Sequence, residues 1–150
     1  MAYITAAQLS NRLGAGLYAR LTDRVSGTTA DAGVAQQIVD ESEAVANSYL
    51  ARRYATPVDL LAHPELAAAL AARVLDLAEY AAWRGSPFVT DLPQRVQKLA
   101  QQAGAWFEAV ARGEVLLPAA AAPASGHADA RGPLYTAPER PMRAEELDGL

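Results

Sequence analysis

Asp76 and Glu79 have a spacing that could support acid–base chemistry, with Arg73 three positions before Asp76. On a helix, residues three apart share a face, so the two carboxylates could act together as a general acid and a general base. The same spacing is common in ion-pair ladders within or between helices. The sequence favours the ion-pair interpretation for this set.

Other residues able to do chemistry are few. The two histidines, His63 and His127, stand at a predicted helix start and in a Pro/Ala-rich stretch, with no ligand-spaced partner near either. There is no cysteine, which excludes disulfides and thiol nucleophiles. Gly14-Ala15-Gly16 follows a predicted helix, which favours a helix stop over a dinucleotide-binding loop. We therefore expect no enzyme active site, no metal site and no cofactor.

The aromatic and basic segment SYLARRYATPVD, residues 48–59, is a candidate for recognition. Its Arg52 and Arg53 can be solvated at a helix end, where the helix dipole favours cations. Alternatively, Tyr49, Arg53 and Tyr54 bring together planar, hydrogen-bonding side chains, a composition typical of interface hot spots. The residues alone leave both interpretations open.

Several aromatic side chains could form a binding cage, but aromatic residues at helical spacing more often belong to a core. The sequence favours the core for this set: Tyr49, Tyr54, Trp83, Trp106 and Phe107.

The composition is that of an acidic globular protein. With 150 residues, of which 51% are hydrophobic, the chain has the length for one domain and an appendage. Its net charge of −4 argues against a broad phosphate-binding surface. The N-terminal residues do not resemble a signal peptide, and charged residues interrupt the most apolar stretch, 60–83. We expect folding in the cytoplasm and no membrane partner.

Capping signals and hydrophobic periodicity predict the elements that position these residues. Thr5 and Gln8 form a capping box for a first helix that ends at Gly14, and a second short helix follows around residues 17–21. Three long helices are predicted at about 31–53, 63–85 and 91–113. The predicted fold class is all-α, a bundle of three long helices plus one or two short N-terminal helices, with an extended C-terminal arm.

The periodicity also predicts which faces are buried. The first long helix has an apolar face of Ala35, Ile38, Val39, Ser42, Val45, Ala46, Tyr49 and Leu50. The main stripe of the second consists of Leu66, Leu70, Val74, Leu77 and Ala81.

The chain divides into a helical domain, residues 1–117, and a Pro/Ala-rich linker with a C-terminal docking arm, residues 118–150. The linker composition cannot bury enough area to offset its ordering entropy. The end of the chain regains apolar residues among charges, a pattern that suits docking on a partner: Leu134, Tyr135, Met142, Leu147 and Leu150.

The stretches MAYITAAQLSNRLG, SYLARRYATPVD and VQKLAQQAGAWFEAVARGEVLL, in this order, resemble the Mu-like phage protein family. That family is similar to the head-tail connector, or adaptor, proteins of long-tailed phages. The resemblance covers roughly residues 1–117, and residues 140–150 also resemble the family's C-terminal end. It implies a helical protein without an active site that forms a ring, typically of about twelve copies, beneath the portal.

The resemblance also implies roles for the motif residues Tyr49, Leu50, Arg53, Tyr54 and Pro57. The two tyrosines would anchor the helix end, and Arg53 would bond carbonyls or a carboxylate where the proline turns the chain. Contacts with partners would come from Arg52, Leu134, Tyr135, Arg140, Met142, Leu147 and Leu150.

The implied partners are other copies in the ring, the portal protein and the downstream neck, stopper or tail-completion protein. Double-stranded DNA would pass through the lumen without sequence-specific binding, and the protein would lie in the neck of the virion. The alternative left open is a non-enzymatic helical binding module, or regulator, that docks a partner through its C-terminal arm.

Overall fold

The computed structural model describes residues 2–119. Its elements are α1 (Ala6–Leu13), α2 (Ala15–Thr22), α3 (Ala32–Leu50), a 3-10 turn (Pro64–Leu66), α4 (Ala67–Gly85) and α5 (Gln94–Arg112). Within these residues all regular elements are helical, which confirms the predicted all-α class. The predicted C-terminal arm lies outside the described residues, and the division of the chain near residue 117 stays a prediction.

Local sequence signals set the boundaries of the first two helices. The Thr5 hydroxyl accepts a hydrogen bond from the Gln8 backbone N–H (3.2 Å), and the Thr5 N–H donates to Gln8 Oε1 (2.8 Å). Gly14, with φ +78°, ends α1 and precedes α2. Both the capping box and the glycine helix stop are confirmed, because each depends on residues close in sequence.

The helices α3, α4 and α5 are each 19 residues long. Each of the three contacts the other two, and α4 also contacts α1 and α2. Fully buried side chains from all five α-helices share one core, including Leu9, Leu21, Leu50, Leu70 and Phe107. The central helix α4 therefore positions the buried Asp76 and Glu79 and lines the grooves described below.

The first long helix is shorter than predicted. It ends at Leu50, because the carbonyl oxygen of Leu50 accepts from the N–H groups of both Arg53 (3.0 Å) and Tyr54 (2.9 Å) and closes a turn. Arg52 and Arg53 therefore lie in this turn and not in the helix.

The predicted buried faces are partly wrong. Val45 is 46% exposed, and Leu77 and Ala81 are only partly buried. Helices α1 and α2 pack on α4, and the buried side of α4 includes Asp76 and Glu79. The periodicity missed this rotation of the buried stripe because it counted apolar residues alone.

The carboxylate of Asp23 organises the loop between α2 and α3. It accepts hydrogen bonds from the Ser26 hydroxyl and from the N–H groups of Val25, Ser26, Thr28 and Thr29. The Ser26 hydroxyl and the N–H groups of Val25, Ser26 and Thr29 hold the pKa of Asp23 well below its usual range. The loop conformation therefore depends on an ionised Asp23.

We expect Asp23→Asn to reduce the acid sensitivity of the fold. Because the folded-state pKa is depressed below the unfolded value of about 3.9, the carboxylate adds stability above about pH 4 that is lost as the pH falls. Urea midpoints at about pH 7 and about pH 3 should differ less in the variant than in the wild type. Asp40→Asn, at an exposed residue that accepts from Gln36, is the control. An unchanged difference in Asp23→Asn contradicts the assignment.

Candidate functional site

The aromatic and basic segment lies where α3 and α5 end side by side. The Tyr49 ring stacks on Phe107 with 6.2 Å between centroids, and Trp106 meets Phe107 edge to face at 5.1 Å. The guanidinium of Arg52 lies 5.8 Å from the Tyr49 ring centroid. Such contacts hold the tyrosine against the core while Arg52 stays exposed.

Arg53 contacts the end of α5. Its Nη1 donates to the carbonyl oxygen of Arg112 (3.3 Å), an acceptor at the negative end of the helix dipole. Gly113 follows with φ +82°, and a Cβ there would collide with the Arg53 guanidinium. Glycine therefore provides both the left-handed cap and the space for Arg53.

Tyr54 joins the segment to the chain beyond α5. It is 7% exposed, and its hydroxyl accepts from the N–H of Leu117 (2.8 Å). Pro57 lies on an exposed turn, and the N–H of the next residue, Val58, donates to the Tyr3 hydroxyl (2.8 Å). The segment thus positions both the N-terminal residues and the chain that leaves α5.

The structure brings Tyr49, Arg53 and Tyr54 together at one end of the helices, next to the buried Leu50. Arg52 is exposed, and its role in a partner contact stays a prediction. The other predicted partner contacts lie outside the described residues: Leu134, Tyr135, Arg140, Met142, Leu147 and Leu150.

Asp76 and Glu79 belong to an ion-pair cluster with three arginines. Arg12 donates through Nε to Glu79 (2.7 Å) and through Nη2 to Asp76. Arg95 binds the second oxygen of Glu79 (2.9 Å), and Arg73 lies 3.9 Å from Asp76. The ion-pair interpretation of the sequence is confirmed.

Burial makes this cluster important for stability. Asp76 and Glu79 are 6% and 2% exposed. Burial alone lowers the pKa of Arg12, but the hydrogen bonds and charges of the two carboxylates outweigh it and raise that pKa. Sequence reasoning missed Arg12 and Arg95 because both are far from Asp76 and Glu79 in the sequence. They reach the two carboxylates only because α1 and α5 pack beside α4.

The predicted core role of the aromatic residues is confirmed for the set as a whole. Phe107 and Tyr54 are buried, and Tyr49, Trp83 and Trp106 pack against the core. Tyr49 and Trp106 both contact the Phe107 ring, whereas Trp83 lines a separate groove of about 210 Å³ together with Phe88.

Leu77 and Tyr80 on α4 lie between two shallow grooves, which together we call the α4 groove. The larger, of about 440 Å³, runs along α5 and is lined further by Leu92, Gln97, Ala100 and Gln101. The smaller, of about 220 Å³, faces α3 and is lined further by Glu41, Ser42, Val45, Ala81 and Arg84. The sequence did not predict this surface because Val45 and Leu77 were assigned to the core.

Among residues 2–119, no three His, Cys, Asp or Glu side chains come close enough together to hold a metal ion. The described helices also include none with the length and apolar character needed to cross a membrane.

Over residues 2–119 the fold is that of a small all-helical protein, which exposes the α4 groove and Arg52 on its surface. The family model described as Bacteriophage Mu, Gp36 matches residues 3–132. The match covers most of the chain, so the protein belongs to this phage family. No curated protein matches the chain. The predicted resemblance to a Mu-like phage protein is thereby confirmed.

Proposed function

We propose that the protein is a structural head-tail connector, or adaptor, of a tailed phage or prophage. In this proposal its copies form a ring, a dodecamer, between the portal protein and the next neck or tail protein, and double-stranded DNA passes through the lumen. The observation that carries the proposal is the family match over residues 3–132. The protein would act in the neck of the virion without catalysis or a cofactor.

The surfaces of the helical domain support ring assembly. A closed ring needs two different patches on each subunit, because each copy meets its neighbours head to tail. The exposed Arg52 beside Tyr49 is one such patch, and a separate groove of about 210 Å³, lined by Leu17, Arg20 and Phe88, is another on a different part of the domain. Neighbouring copies would then add stability to each subunit by mass action.

The charge of the chain supports passage of DNA without retention. Many phosphate contacts, summed over a ring, would hold a duplex and oppose its movement. A subunit with a net charge of −4 does not favour such contacts in sum. We therefore propose that the lumen binds DNA without sequence specificity and only weakly.

The alternative function is a helical binding module, or regulator, that acts without forming a ring. The open volume of the α4 groove, about 440 Å³ on its larger side, favours this candidate as well, since grooves between helices accept helical or extended peptides. The oligomeric state separates the two functions.

The first test is the mass of the purified full chain, alone and after mixing with the portal protein, by light scattering and negative-stain imaging. The connector proposal expects a ring of about twelve copies or co-assembly on portal rings. A monomer that does not bind portal rings overturns the connector proposal and favours the binding module.

Deletion of residues 134–150 tests the proposed docking arm. The predicted result is an unchanged circular dichroism spectrum with capture by portal rings reduced by about tenfold or more, because the apolar residues of the arm are removed. Arg52→Ala in the full chain is the comparison for a contact on the helical domain. Equal portal capture by the deleted and full chains refutes the docking role of the arm.

A further inference from the structure

We propose that the α4 groove is the docking site of the chain's own C-terminal segment, residues 134–150. The segment is thus part of the same molecule as the groove. It stays bound there until a partner protein competes for the segment. The inference concerns the free chain and does not depend on ring formation.

The groove has the apolar character that such a segment requires. Val45 on α3 is 46% exposed, and it lines the same surface as Leu77, Tyr80 and Ala81 on α4. A cover of apolar side chains would remove this apolar area from water, which is favourable. The segment 134–150 offers Leu134, Tyr135, Met142, Leu147 and Leu150.

The charges of the groove complement those of the segment. The Arg84 guanidinium lies 5.8 Å from the Tyr80 ring centroid, and among residues 2–119 it has no carboxylate within ion-pairing distance. Glu41, on the opposite wall, accepts from Gln37 (2.9 Å). The segment has acidic residues that could pair with Arg84 and basic residues that could pair with Glu41. They are Glu145, Glu146 and Asp148, and Arg140 and Arg143.

The length of the intervening chain permits docking within one molecule. The described residues end at Ala119, beyond the C-terminus of α5, and the groove is lined by Gln97 and Gln101 on the same helix. Arg112 and Gln101 are separated by about 17 Å along the helix axis. The roughly 14 residues of 120–133 span up to about 45 to 50 Å, which is ample.

Attachment to the same chain also favours this occupant over a separate molecule. A segment tethered by a short linker has an effective concentration in the millimolar range, so even weak contacts keep it bound. A separate copy at micromolar concentration would compete poorly for the same groove.

The absence of cysteine from the sequence allows a direct test in the full chain. The double variant Val45→Cys with Leu147→Cys is oxidised with oxidised glutathione, and the rate of intramolecular disulfide formation is measured on non-reducing gels. The matched control is Leu61→Cys with Leu147→Cys. Leu61 is 77% exposed and lies in the loop after α3, at the end of the molecule where α5 also ends.

Docking predicts that the Val45 pair closes at least about tenfold faster than the Leu61 pair, because a docked segment is held near α4. Equal rates, or a faster Leu61 pair, overturn the proposal, since an undocked segment would meet the more exposed site first. Mixing the single variants Val45→Cys and Leu147→Cys distinguishes the source of the segment. Rapid disulfide-linked dimers in that mixture would assign the groove to another copy and overturn docking within one chain.

A charge reversal provides a second readout. Arg84→Glu in the Val45 and Leu147 double variant should slow disulfide formation several-fold, roughly 3 to 10 times, through repulsion of the acidic end of the segment. Lys98→Glu, an exposed cation on α5 that does not line the groove, should leave the rate unchanged. Equal effects of the two reversals contradict the role of Arg84. Thermal melts of each variant check that the helices remain folded.

Discussion

Arg12→Ala should lower the free energy of unfolding by about 3 kcal/mol, because it leaves two buried carboxylates without their shared cation. Asp76 and Glu79 are 6% and 2% exposed, and Arg12 binds both. Removal of one partner from a buried ion pair costs more than the pair contributes, since the remaining charge stays desolvated. Urea denaturation followed by circular dichroism measures the change.

Arg95→Ala is the matched control for Arg12→Ala. Arg95 also binds Glu79, but its side chain is 72% exposed, so we expect a loss of at most about 1 kcal/mol. The loss of unfolding free energy in Arg12→Lys should lie between the losses in Arg12→Ala and Arg95→Ala. A single ammonium group cannot reproduce the contacts that the guanidinium makes with both carboxylates. Equal stabilities of Arg12→Ala and Arg95→Ala would show that the buried ion pairs do not control the fold.

The elements that the sequence predicted well are set by neighbouring residues. Thr5 with Gln8, Gly14 and Gly113 each form a cap within a few positions of the chain, and the helices begin or end there. The third long helix, predicted at about 91–113, is Gln94–Arg112 in the structure. Local hydrogen bonding is sufficient for such boundaries.

The features that the sequence did not predict depend on how helices pack. Arg12 lies on α1 and pairs with both Asp76 and Glu79. Nothing in the spacing of the two carboxylates identifies it as their partner. In the same way, Val45 is exposed because none of the helices within residues 2–119 covers that side of α3 and α4, which depends on the tertiary arrangement. Periodicity identifies an apolar face but not its neighbours.

For the segment 48–59, the structure shows contacts within the chain for Tyr49, Arg53 and Tyr54, and the recognition interpretation stays a prediction. Arg53 contacts a helix-end carbonyl and stays exposed, while Tyr49 and Tyr54 pack inward. The partners that decide this, Phe107 and Leu117, lie far away in the chain. Arg52 and Arg53 are both exposed, and of the two only Arg53 donates to a backbone carbonyl among the described residues.

The two proposals for residues 134–150 are linked by competition. A segment held in the α4 groove is not free to bind a portal, so portal capture has to overcome the docking free energy. Weakening the groove with Arg84→Glu should therefore increase the rate of portal capture, in contrast to deletion of the segment. Faster portal capture by Arg84→Glu would show that the groove binds residues 134–150 in the free chain. Unchanged or slower capture would show that it does not.

Tyr3 joins three parts of the fold through one side chain. It is 4% exposed, and its hydroxyl donates to Asn47 Oδ1 (2.6 Å) on α3 and accepts from the N–H of Val58 (2.8 Å). The backbone N–H groups of Tyr3 and Ile4 donate to the Glu43 carboxylate. The N-terminal residues are thereby fixed against both α3 and the loop after Pro57.

We expect Tyr3→Phe to lower the free energy of unfolding by about 1 to 3 kcal/mol, because it leaves the buried N–H of Val58 without its acceptor. Tyr54→Phe, which loses a single bond to the Leu117 N–H, should cost less, about 0.5 to 1.5 kcal/mol. The free energies of unfolding are compared from the denaturant midpoints of the two variants and the wild type. The comparison uses one common slope of free energy against denaturant concentration. A Tyr3→Phe variant as stable as the wild type would show that the hydroxyl does not hold these parts together.

The alkaline limb of the stability curve gives an independent check on the same residue. Burial raises the pKa of Tyr3, the hydrogen bond from Val58 opposes this, and the charge of Glu43 raises it further. A raised folded-state pKa adds stability below the unfolded value of about 10, which is lost as the pH rises through the folded-state pKa. The wild type should therefore lose more stability than Tyr3→Phe between about pH 9 and pH 11. A simple packing defect in the variant would lower stability equally at both pH values, so the difference between the curves isolates the buried hydroxyl.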